Sequence, residues 1–285
     1  MLLANYTLFY SDLKTRGIEY AAEHSLALGF NAVEFFLGYP DSLPLFDDLK
    51  EAERAAQVLK GYGLPTACVS IGASLFGADS KAVEAALCRY AEVAAILGSP
   101  YLHHTVYLPL SLPLGAPSYD EVFGATVDAV ERIATRAESV GVTCLYEPQG
   151  MYFNGIDGLA PLLGEIRRRG RRVGICGDVG NPLYVDADPA ELFDRFAGDI
   201  LHVHLKDYFV RRQQPDEAGY TPSRGGRYLK PCELGEGDID LSSCFRALRS
   251  AEYHGAYAFE LFGTDEVMRR AIETFKSLYV SVFGA

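Results

Sequence analysis

The chain has 285 residues, of which 49% are hydrophobic and 22% charged, and its formal net charge is −12. This composition is ordinary for a globular enzyme, and the acidic charge argues against a general nucleic-acid binder, which normally carries a basic surface. No apolar run approaches the roughly 20 residues that span a bilayer, and the N-terminus lacks the features of a signal peptide, so we expect a cytoplasmic protein that binds neither nucleic acid nor membrane.

Short apolar segments alternate with longer amphipathic ones along the chain. Eight short runs predict β-strands, and in chain order they cover residues 2–9, 31–36, 65–71, 101–106, 142–148, 173–179, 200–207 and 256–262. The segments between them, such as LFDDLKEAERAAQVLKGYG (residues 45–63), place apolar residues three and four apart, which predicts helices. Parallel strand pairing follows, since helical crossovers join parallel neighbours.

Eight strand–helix units predict a closed (β/α)8 TIM barrel that forms a single domain over residues 1–285. An open doubly wound sheet is the alternative, but its glycine-rich and P-loop fingerprints are missing. In barrels of this kind the chemistry lies at the carboxyl ends of the strands and in the loops that follow them. Candidate functional residues are therefore sought at those ends.

Four strand ends carry a polar residue: Glu147 in LYEP, Asp178 in CGDVGN, His204 in HVHLKD and Glu260 in AFEL. Their separations of 31, 26 and 56 residues place them on consecutive strands of the predicted barrel. Three carboxylates and an imidazole suit a divalent ion such as Mn, Mg or Co, and without a cation the carboxylates would repel one another. Each residue alone could be a solvated loop residue or a helix cap, so the hypothesis of a metal site rests on their coincidence.

The seventh predicted strand places His202, His204 and Lys206 on one face, because side chains alternate along a strand. We expect His204 at the barrel mouth and His202 packed below it as a core histidine. Lys206 would lie above them, either facing the substrate or in a structural ion pair. His103 and His104 end the fourth strand, and only one of them can point into the mouth, where it would contact the substrate.

A long loop is predicted at about residues 208–238, over the C-terminal face of the barrel. Arginines and lysines make it locally basic, so it could be a lid that binds the substrate, or else a surface loop or an oligomer contact. Within it, Arg211 and Glu236 are candidate substrate-binding residues. The six cysteines form no CxxC pair, and we expect free thiols in a reducing compartment rather than disulfides or a zinc–thiolate site.

Several motifs together resemble the xylose isomerase-like barrels, in particular the sugar-phosphate isomerase/epimerase and ketose 3-epimerase group. The motifs are YEP at Glu147, DVGNPLYVDADP from Asp178, HVHLKD ending at Asp207 and LGEGDIDLSSCFRAL from Leu234, and the resemblance covers nearly the whole chain. It implies one divalent metal, with manganese expected and magnesium, cobalt or zinc as alternatives. The implied ligands are Glu147, Asp178, His204 and Glu260.

The resemblance also implies roles for individual residues. Glu147 and Glu260 would act on opposite faces of a ketose, one removing the proton α to the carbonyl and the other returning a proton, while Lys206 could add positive charge. Glu34, in NAVEFF, matches an acidic position common at the second strand end and is a further candidate substrate contact.

Two positions depart from the ketose 3-epimerase pattern. That group has a second acid six residues after the first glutamate and a histidine three residues after the aspartate, where this sequence has Phe153 and Asn181. Both positions contact the substrate in that group, so Asn181 stays a candidate substrate contact, and a simple ketohexose 3-epimerase is disfavoured. The histidines are also too few for the three-zinc DNA-repair branch.

The sequence therefore predicts a metal-dependent isomerase or epimerase that acts on a small sugar by proton abstraction α to a carbonyl. One alternative is a dehydratase of a keto-inositol or keto-sugar that uses the same site. A second is a non-catalytic sugar-binding barrel. The expected partner is a small sugar or polyol ketone, and the sequence leaves open a homodimer or homotetramer.

Overall fold

A computed structural model describes residues 1–39 and 49–284 of the chain. Eight parallel strands close into a barrel, which confirms the predicted (β/α)8 fold. In spatial order these strands are β1 (Leu2–Asn5), β2 (Ala32–Phe36), β3 (Thr66–Ile71), β4 (Tyr101–His104), β5 (Thr143–Tyr146), β6 (Val173–Asp178), β7 (Ile200–Leu205) and β11 (Ala256–Phe259). The barrel closes where β11 pairs with β1, from Ala256 opposite Leu2 to Phe259 opposite Asn5.

Helices cover the outside of the barrel. They are α1 (Thr7–Arg16), α2 (Ile18–Leu28), α3 (Leu49–Tyr62), α4 (Ser80–Ile96), α5 (Tyr119–Ser139), α6 (Gly155–Arg168), α7 (Pro189–Phe196), α8 (Leu241–Ser250) and α9 (Asp265–Phe283), with 3₁₀ turns at Asn181–Val185 and Ala197–Asp199. Within the described ranges, no helix combines the length and apolar character needed to cross a membrane. Residues 45–48 of the third predicted helix lie outside the described residues.

Local sequence signals account for several helix ends. Ser118 accepts a hydrogen bond from the Glu121 backbone and is contacted in return by the Glu121 side chain, a capping box that starts α5. Gly29 ends α2 in the left-handed conformation with φ 98°, which a residue with a Cβ rarely adopts. The glycine-terminated helices of the sequence are thus followed directly by strands.

The barrel interior carries small residues on one side and polar residues at its mouth. Small residues form one buried cluster where β11, β1, β2 and β3 are neighbours, and Tyr6 packs with them: Ala4, Ala32, Ala67, Ala256 and Ala258. In β7, Val203 and Leu205 point outward into the hydrophobic layer under the helices, so the two histidines of this strand point inward. Pairing of β6 with β7 sets Asp178 level with His204, which places both side chains in the layer at the mouth.

Two predicted elements differ in detail from the structure. The predicted strand 2–9 ends at Asn5, because α1 begins at Thr7 and buries Phe9 on its inner face. The predicted long loop at 208–238 contains an antiparallel sheet of β8 (Asp207–Arg211), β9 (Thr221–Pro222) and β10 (Tyr228–Cys232). Its strands are short and half exposed, so they lack the long apolar runs on which the strand prediction depended.

All six cysteines are free thiols in the structure: Cys68, Cys88, Cys144, Cys176, Cys232 and Cys244. Four of them are buried, and Cys68 and Cys176 lie inside the barrel with Leu145. These thiols serve as small apolar side chains in the packing.

Candidate metal and substrate site

The four predicted metal ligands lie together at the mouth of the barrel. Asp178 ends β6 and His204 lies in β7, while Glu147 and Glu260 directly follow β5 and β11. One ligand atom from each residue lies within 4.8 Å of the others. The arrangement follows from parallel strands of similar length, whose carboxyl ends meet at one edge of the barrel.

The imidazole of His204 faces all three carboxylates with a single atom. Its Nδ1 is 2.8 Å from Glu147 Oε1, 3.1 Å from Glu260 Oε2 and 4.0 Å from Asp178 Oδ2. Glu147, Asp178 and His204 are buried, whereas 24% of the Glu260 side chain is exposed. This donor set of three carboxylates and one imidazole nitrogen fits a divalent cation with a preference for oxygen.

Lys206 neutralises part of the carboxylate charge. Its ammonium Nζ is 2.9 Å from Asp178 Oδ2 and 2.8 Å from Glu260 Oε2, and it donates to Asn181 Oδ1 at 3.2 Å. The side chain is only 8% exposed. Of the two roles expected for Lys206, the structure has the ion pair, and this pair lies within the site itself.

Both burial and neighbouring charges shift the pKa values of the carboxyl groups in the cluster. Burial raises the pKa of Asp178 to about 7, against the pull of Lys206 and with the charges of Glu147 and Glu260 adding to the rise. Burial also favours the neutral form of Glu147, but His103 and His204 outweigh it and hold the pKa of that carboxyl well below its usual range. Crowded negative charge at Asp178 is thus the feature that a bound cation would relieve.

A cavity of about 220 Å³ opens above the cluster. Its floor includes Glu147, Glu260 and His103, and aromatic side chains form much of its wall: Tyr6, Tyr10, Phe36, Tyr39 and Phe262. The Tyr6 ring stacks on His204 with the ring centroids 4.9 Å apart. A mostly apolar cavity with a few polar groups at its floor is typical of a small-molecule site.

The two histidines of β4 point in opposite directions, as predicted from their spacing. His103 lines the cavity, with Nε2 3.5 Å from Glu147 Oε2. His104 is fully buried outside the barrel interior, where its ring packs edge-on against Tyr146 and its Nδ1 lies 3.0 Å from the carbonyl oxygen of Thr105. This placement contradicts a substrate contact for His104.

Glu34 is also not placed to contact substrate. Its side chain is 0% exposed and lies below His204, whose Nε2 is 2.9 Å from Glu34 Oε1. On the other side, Glu34 Oε2 is 2.6 Å from His202 Nε2. His202 is thus buried below the cavity, as expected, but its Nδ1 has no hydrogen-bond partner among the described residues. Glu34 therefore supports the site from beneath rather than binding in it.

The remaining candidate residues divide by burial. Asn181 is buried beside Lys206, within the site. Arg211 is exposed and pairs with Asp238 at 2.8 Å, and Glu236 is exposed in the turn before α8. In the part of the chain that the structure describes, neither side chain has a hydrogen bond or an ion pair to the four residues of the cluster.

The sequence prediction missed two residues of the site. Ser70 donates a hydrogen bond to Glu34 and lies 3.0 Å from His103 Nδ1, so it links two strands below the cavity. A polar residue in the otherwise apolar run PTACVSI was the signal for it. Tyr6 gave a weaker signal, because its residue type is common in loops and cores alike.

Comparison with known proteins agrees with this architecture. A family model described as a xylose isomerase-like TIM barrel matches residues 22–278. Inosose dehydratase from Lacticaseibacillus casei is 27% identical over 146 residues, 48% of this chain and 46% of that protein, so the match spans about half the length of this relative.

Two solved structures superpose over almost all of the chain. The structure of L-ribulose 3-epimerase has a TM-score of 0.75 at 18% identity and covers 99% of this chain and 95% of its own. The IOLI protein with a binding zinc atom has a TM-score of 0.75 at 16% identity and covers 100% of both chains. At these identities the superpositions show only that the fold is shared. Because the family model matches residues 22–278, the chain belongs to the xylose isomerase-like TIM barrel family.

Proposed function

We propose that this protein is a divalent-metal-dependent enzyme that removes the proton α to the carbonyl of a small sugar or polyol ketone, as an isomerase or epimerase. The observation that carries the proposal is the meeting of Glu147, Asp178, His204 and Glu260 beside a cavity lined by aromatic side chains. A non-catalytic sugar-binding barrel would not need three carboxylates crowded in a buried cluster, where their mutual repulsion is costly.

The residues present fit one divalent ion. Their donor atoms come from four strands and face a common point, and the ammonium of Lys206 already lies against two of the carboxylates, where positive charge is favourable. A mostly oxygen donor set favours manganese, with magnesium, cobalt or zinc as alternatives. When bound there, the ion would polarise the carbonyl oxygen of the substrate and stabilise the negative charge left by proton removal.

Glu147 and Glu260 are the proposed proton-transfer groups. Both carboxylates line the cavity, and they come from β5 and β11, which are separated in the barrel by β6 and β7. One carboxylate takes the proton from the carbon α to the carbonyl. In an epimerase the other returns a proton to the opposite face of that carbon, so the substrate keeps its mass while one centre is inverted.

Further residues around the four ligands have proposed supporting roles. Lys206 holds Asp178 and Glu260 in place and sets positive charge near the developing oxyanion. His103 and Asn181 are the proposed polar contacts to substrate hydroxyls. Phe153, at the position of the second acid in ketose 3-epimerases, is buried, so a different set of substrate contacts is expected.

A dehydratase is the second candidate, and the curated relatives support it. Inosose dehydratase from L. casei aligns with about half of this chain. The first step would be the same proton abstraction, after which a β-hydroxyl leaves as water once it is protonated. Product mass separates the two reactions, because isomerisation conserves it and dehydration lowers it by one water.

The first experiment is elemental analysis of purified protein. We expect about one equivalent of divalent ion in the wild type and its loss in His204→Ala and Glu260→Gln. Matched controls are His254→Ala and Glu266→Gln, since both residues are exposed and lie away from the cluster. Wild-type protein without metal after reconstitution with manganese would overturn the proposal.

The second experiment identifies the chemistry. Ketoses and keto-inositols are incubated with the metal-loaded protein in deuterated water, and products are analysed by mass. A product whose mass rises only by the exchanged deuterium supports an isomerase or epimerase. A product that has also lost the mass of one water supports the dehydratase. A cytoplasmic location and a homodimer or homotetramer complete the proposal, and sedimentation analysis tests the assembly.

A further inference from the structure

A second cavity of about 320 Å³ adjoins the cavity above the cluster, and Glu260 and Phe262 line both of them. We infer that this side cavity binds a second, uncharged ring of the substrate. The substrate would then be a ketone-bearing sugar or cyclitol joined to another sugar ring, rather than a single sugar or a sugar phosphate. This assignment rests on the proposed function, because it places the reacting ring over Glu147 and Glu260.

The two cavities meet at a carboxylate that is proposed to transfer the proton. Oε2 of Glu260 is 3.1 Å from His204 Nδ1 in the cluster and 2.8 Å from Nζ of Lys206, which lines the side cavity. A ring that reacts at Glu260 therefore lies at the boundary, and a substituent on it extends into the side cavity. The cavity above the cluster is by itself smaller than the roughly 300–1,000 Å³ of typical small-molecule pockets, whereas the two together fall within that range.

The small antiparallel sheet forms one wall of the side cavity. Pairing of β8 with β10 sets Asp207 opposite Cys232 and Tyr208 opposite Pro231, and all four residues line the cavity. This wall directly continues β7, since β8 begins two residues after Leu205. The segment at 208–238 thus encloses space beside the site, and we assign it a role in substrate binding through this wall.

The opposite wall is apolar and comes from the segment that follows β11. Leu261 is buried, and its carbonyl oxygen accepts a hydrogen bond from Thr7, which holds the segment against α1. Phe262 is 84% exposed, and Val267 lines the cavity from the first turn of α9. A sugar ring carries C–H groups on its faces, so a second ring packed here would cover apolar surface of Phe262 that is otherwise in water.

The charges around the side cavity favour an uncharged ring. Its charged side chains each have partners of their own: Lys206 with Asp178 and Glu260, Asp207 with the backbone of Gly235 and Gly237, and Glu233 with Arg270. Among the described lining residues, three carboxylates face one ammonium in this cavity, and no lysine or arginine lines the cavity above the cluster. Residues 40–48 contain neither lysine nor arginine. A phosphate would therefore be repelled, whereas hydroxyl groups can donate to the carboxylates.

Calorimetric titration in the presence of manganese tests the size and charge of the ligand. The probes are fructose, fructose 6-phosphate and three disaccharides of fructose, namely turanose, lactulose and palatinose, which join the second ring at different positions. We expect at least one disaccharide to bind about tenfold more tightly than fructose, because its second ring buries apolar area. Fructose 6-phosphate should bind more weakly than fructose. Disaccharides that all bind no better than fructose, or a phosphate that binds better, would overturn the inference.

Val267→Trp tests whether the second ring lies in the side cavity. The indole would occupy that space, so we expect the ratio of disaccharide affinity to fructose affinity to fall about tenfold. Val280→Trp, at an exposed position of the same helix, is the matched control and should keep the wild-type ratio. An unchanged ratio in folded Val267→Trp would refute the inference. If that variant does not fold, Pro231→Trp, at an exposed position of β10, fills the cavity from the other wall.

These measurements separate a failure of the side cavity from a failure of the proposed function. Solvent deuterium that enters fructose, with no preference for any disaccharide, would refute the second-ring site alone. A preference for disaccharides that Val267→Trp abolishes, in a protein that binds no manganese and exchanges no deuterium, would refute the proposed function and leave the second-ring site in place.

Discussion

Lys206 holds together a group of carboxylates that would otherwise repel one another. It lies within 2.9 Å of oxygens of Asp178 and Glu260, and it is almost completely buried. A buried ion pair adds little net stability, but removal of one partner leaves an uncompensated charge, which is costly. Lys206 and a bound divalent ion would both compensate this negative charge.

Lys206→Gln is therefore expected to lower the unfolding free energy of the metal-free protein by about 3 kcal/mol. Manganese should raise the melting temperature of the variant more than that of the wild type, because the ion restores the missing positive charge. Thermal unfolding with and without manganese measures both effects. Lys230→Gln, which breaks a more exposed pair with Glu217, is the control. If Lys206→Gln lost as much stability with manganese bound as without it, the argument would be contradicted.

His104 gives a prediction about acid stability. Burial lowers its pKa to about 4, whereas an unfolded histidine titrates near 6.5. Between these values the unfolded chain binds a proton that the folded protein does not, so stability falls as the pH drops from about 6.5 to about 4, by about 3 kcal/mol in all. Urea unfolding across this range measures the loss.

His104→Asn removes the titration and keeps a donor near the position of Nδ1. At pH 8 this variant should be less stable than the wild type, because the packing of the ring on Tyr146 is lost. Toward pH 4.5 the difference in unfolding free energy between the wild type and the variant should become smaller or change sign. His254→Asn, at an exposed position, is the control, and parallel pH profiles for wild type and His104→Asn would refute the prediction.

At the residue scale, the sequence was informative where a charged residue ends an apolar strand. Glu147, Asp178 and Glu260 each stand at such an end, so their convergence could be predicted from strand order alone. The role of Glu34 could not, because it depends on His204, which is 170 positions away in the sequence. Only the register between strands shows that this carboxylate lies beneath the cavity rather than in it.

The imidazole of His24 links helices near the two ends of the chain. His24 in α2 has Nδ1 2.8 Å from Asp12 Oδ2 in α1 and Nε2 3.0 Å from Asp265 Oδ2 at the start of α9. Both carboxylates can only accept, so both ring nitrogens carry hydrogen when the two contacts form together. The protonated ring thus links the first helical layer of the barrel to the last.

This link is expected to be lost as the pH rises. Burial lowers the pKa of His24, but Asp12 and Asp265 outweigh it and hold the pKa above its usual value. The stabilisation is fully present below the unfolded pKa near 6.5 and disappears as the pH rises through the higher folded value. His24→Gln should cost about 1 kcal/mol at pH 5.5, given that Asp265 is largely exposed, and less at pH 9.

Urea unfolding of the wild type and His24→Gln at both pH values measures the difference. His254→Gln serves as the matched control, because this exposed residue does not join helices. A cost that is equal at pH 5.5 and pH 9 would mean that the neutral ring stabilises the fold as well as the charged one does.

At the element scale, buried apolar strands were predictable and the half-exposed strands of the small sheet were not. All eight barrel strands were found, because each is buried on both faces and reads as an apolar run. The sheet of β8, β9 and β10 was missed, because it is held partly by polar anchors. Asp186 accepts from Ser223 Oγ at 2.7 Å and from Arg227 Nε at 2.8 Å, contacts that join segments about 40 residues apart and leave no periodic pattern.

For the whole molecule, the site depends on complete closure of the barrel. Its proposed metal ligands come from β5, β6, β7 and β11, and the last of these strands is held in place by pairing with β1. The support from Glu34 comes from β2. A cation would therefore bind only when both ends of the chain are in place, so its binding energy should stabilise the barrel as one unit.

Manganese at a concentration of 100 times its dissociation constant should add about 2.7 kcal/mol to the unfolding free energy. For a protein of this size we expect the melting temperature to rise by roughly 5 to 10 °C. Calorimetry should give a single transition that moves as a whole with manganese concentration, and His204→Ala should show no shift. Two transitions of which only one responds to manganese would mean that a part of the barrel holds the ion independently, and that closure by β1 and β11 does not determine the site.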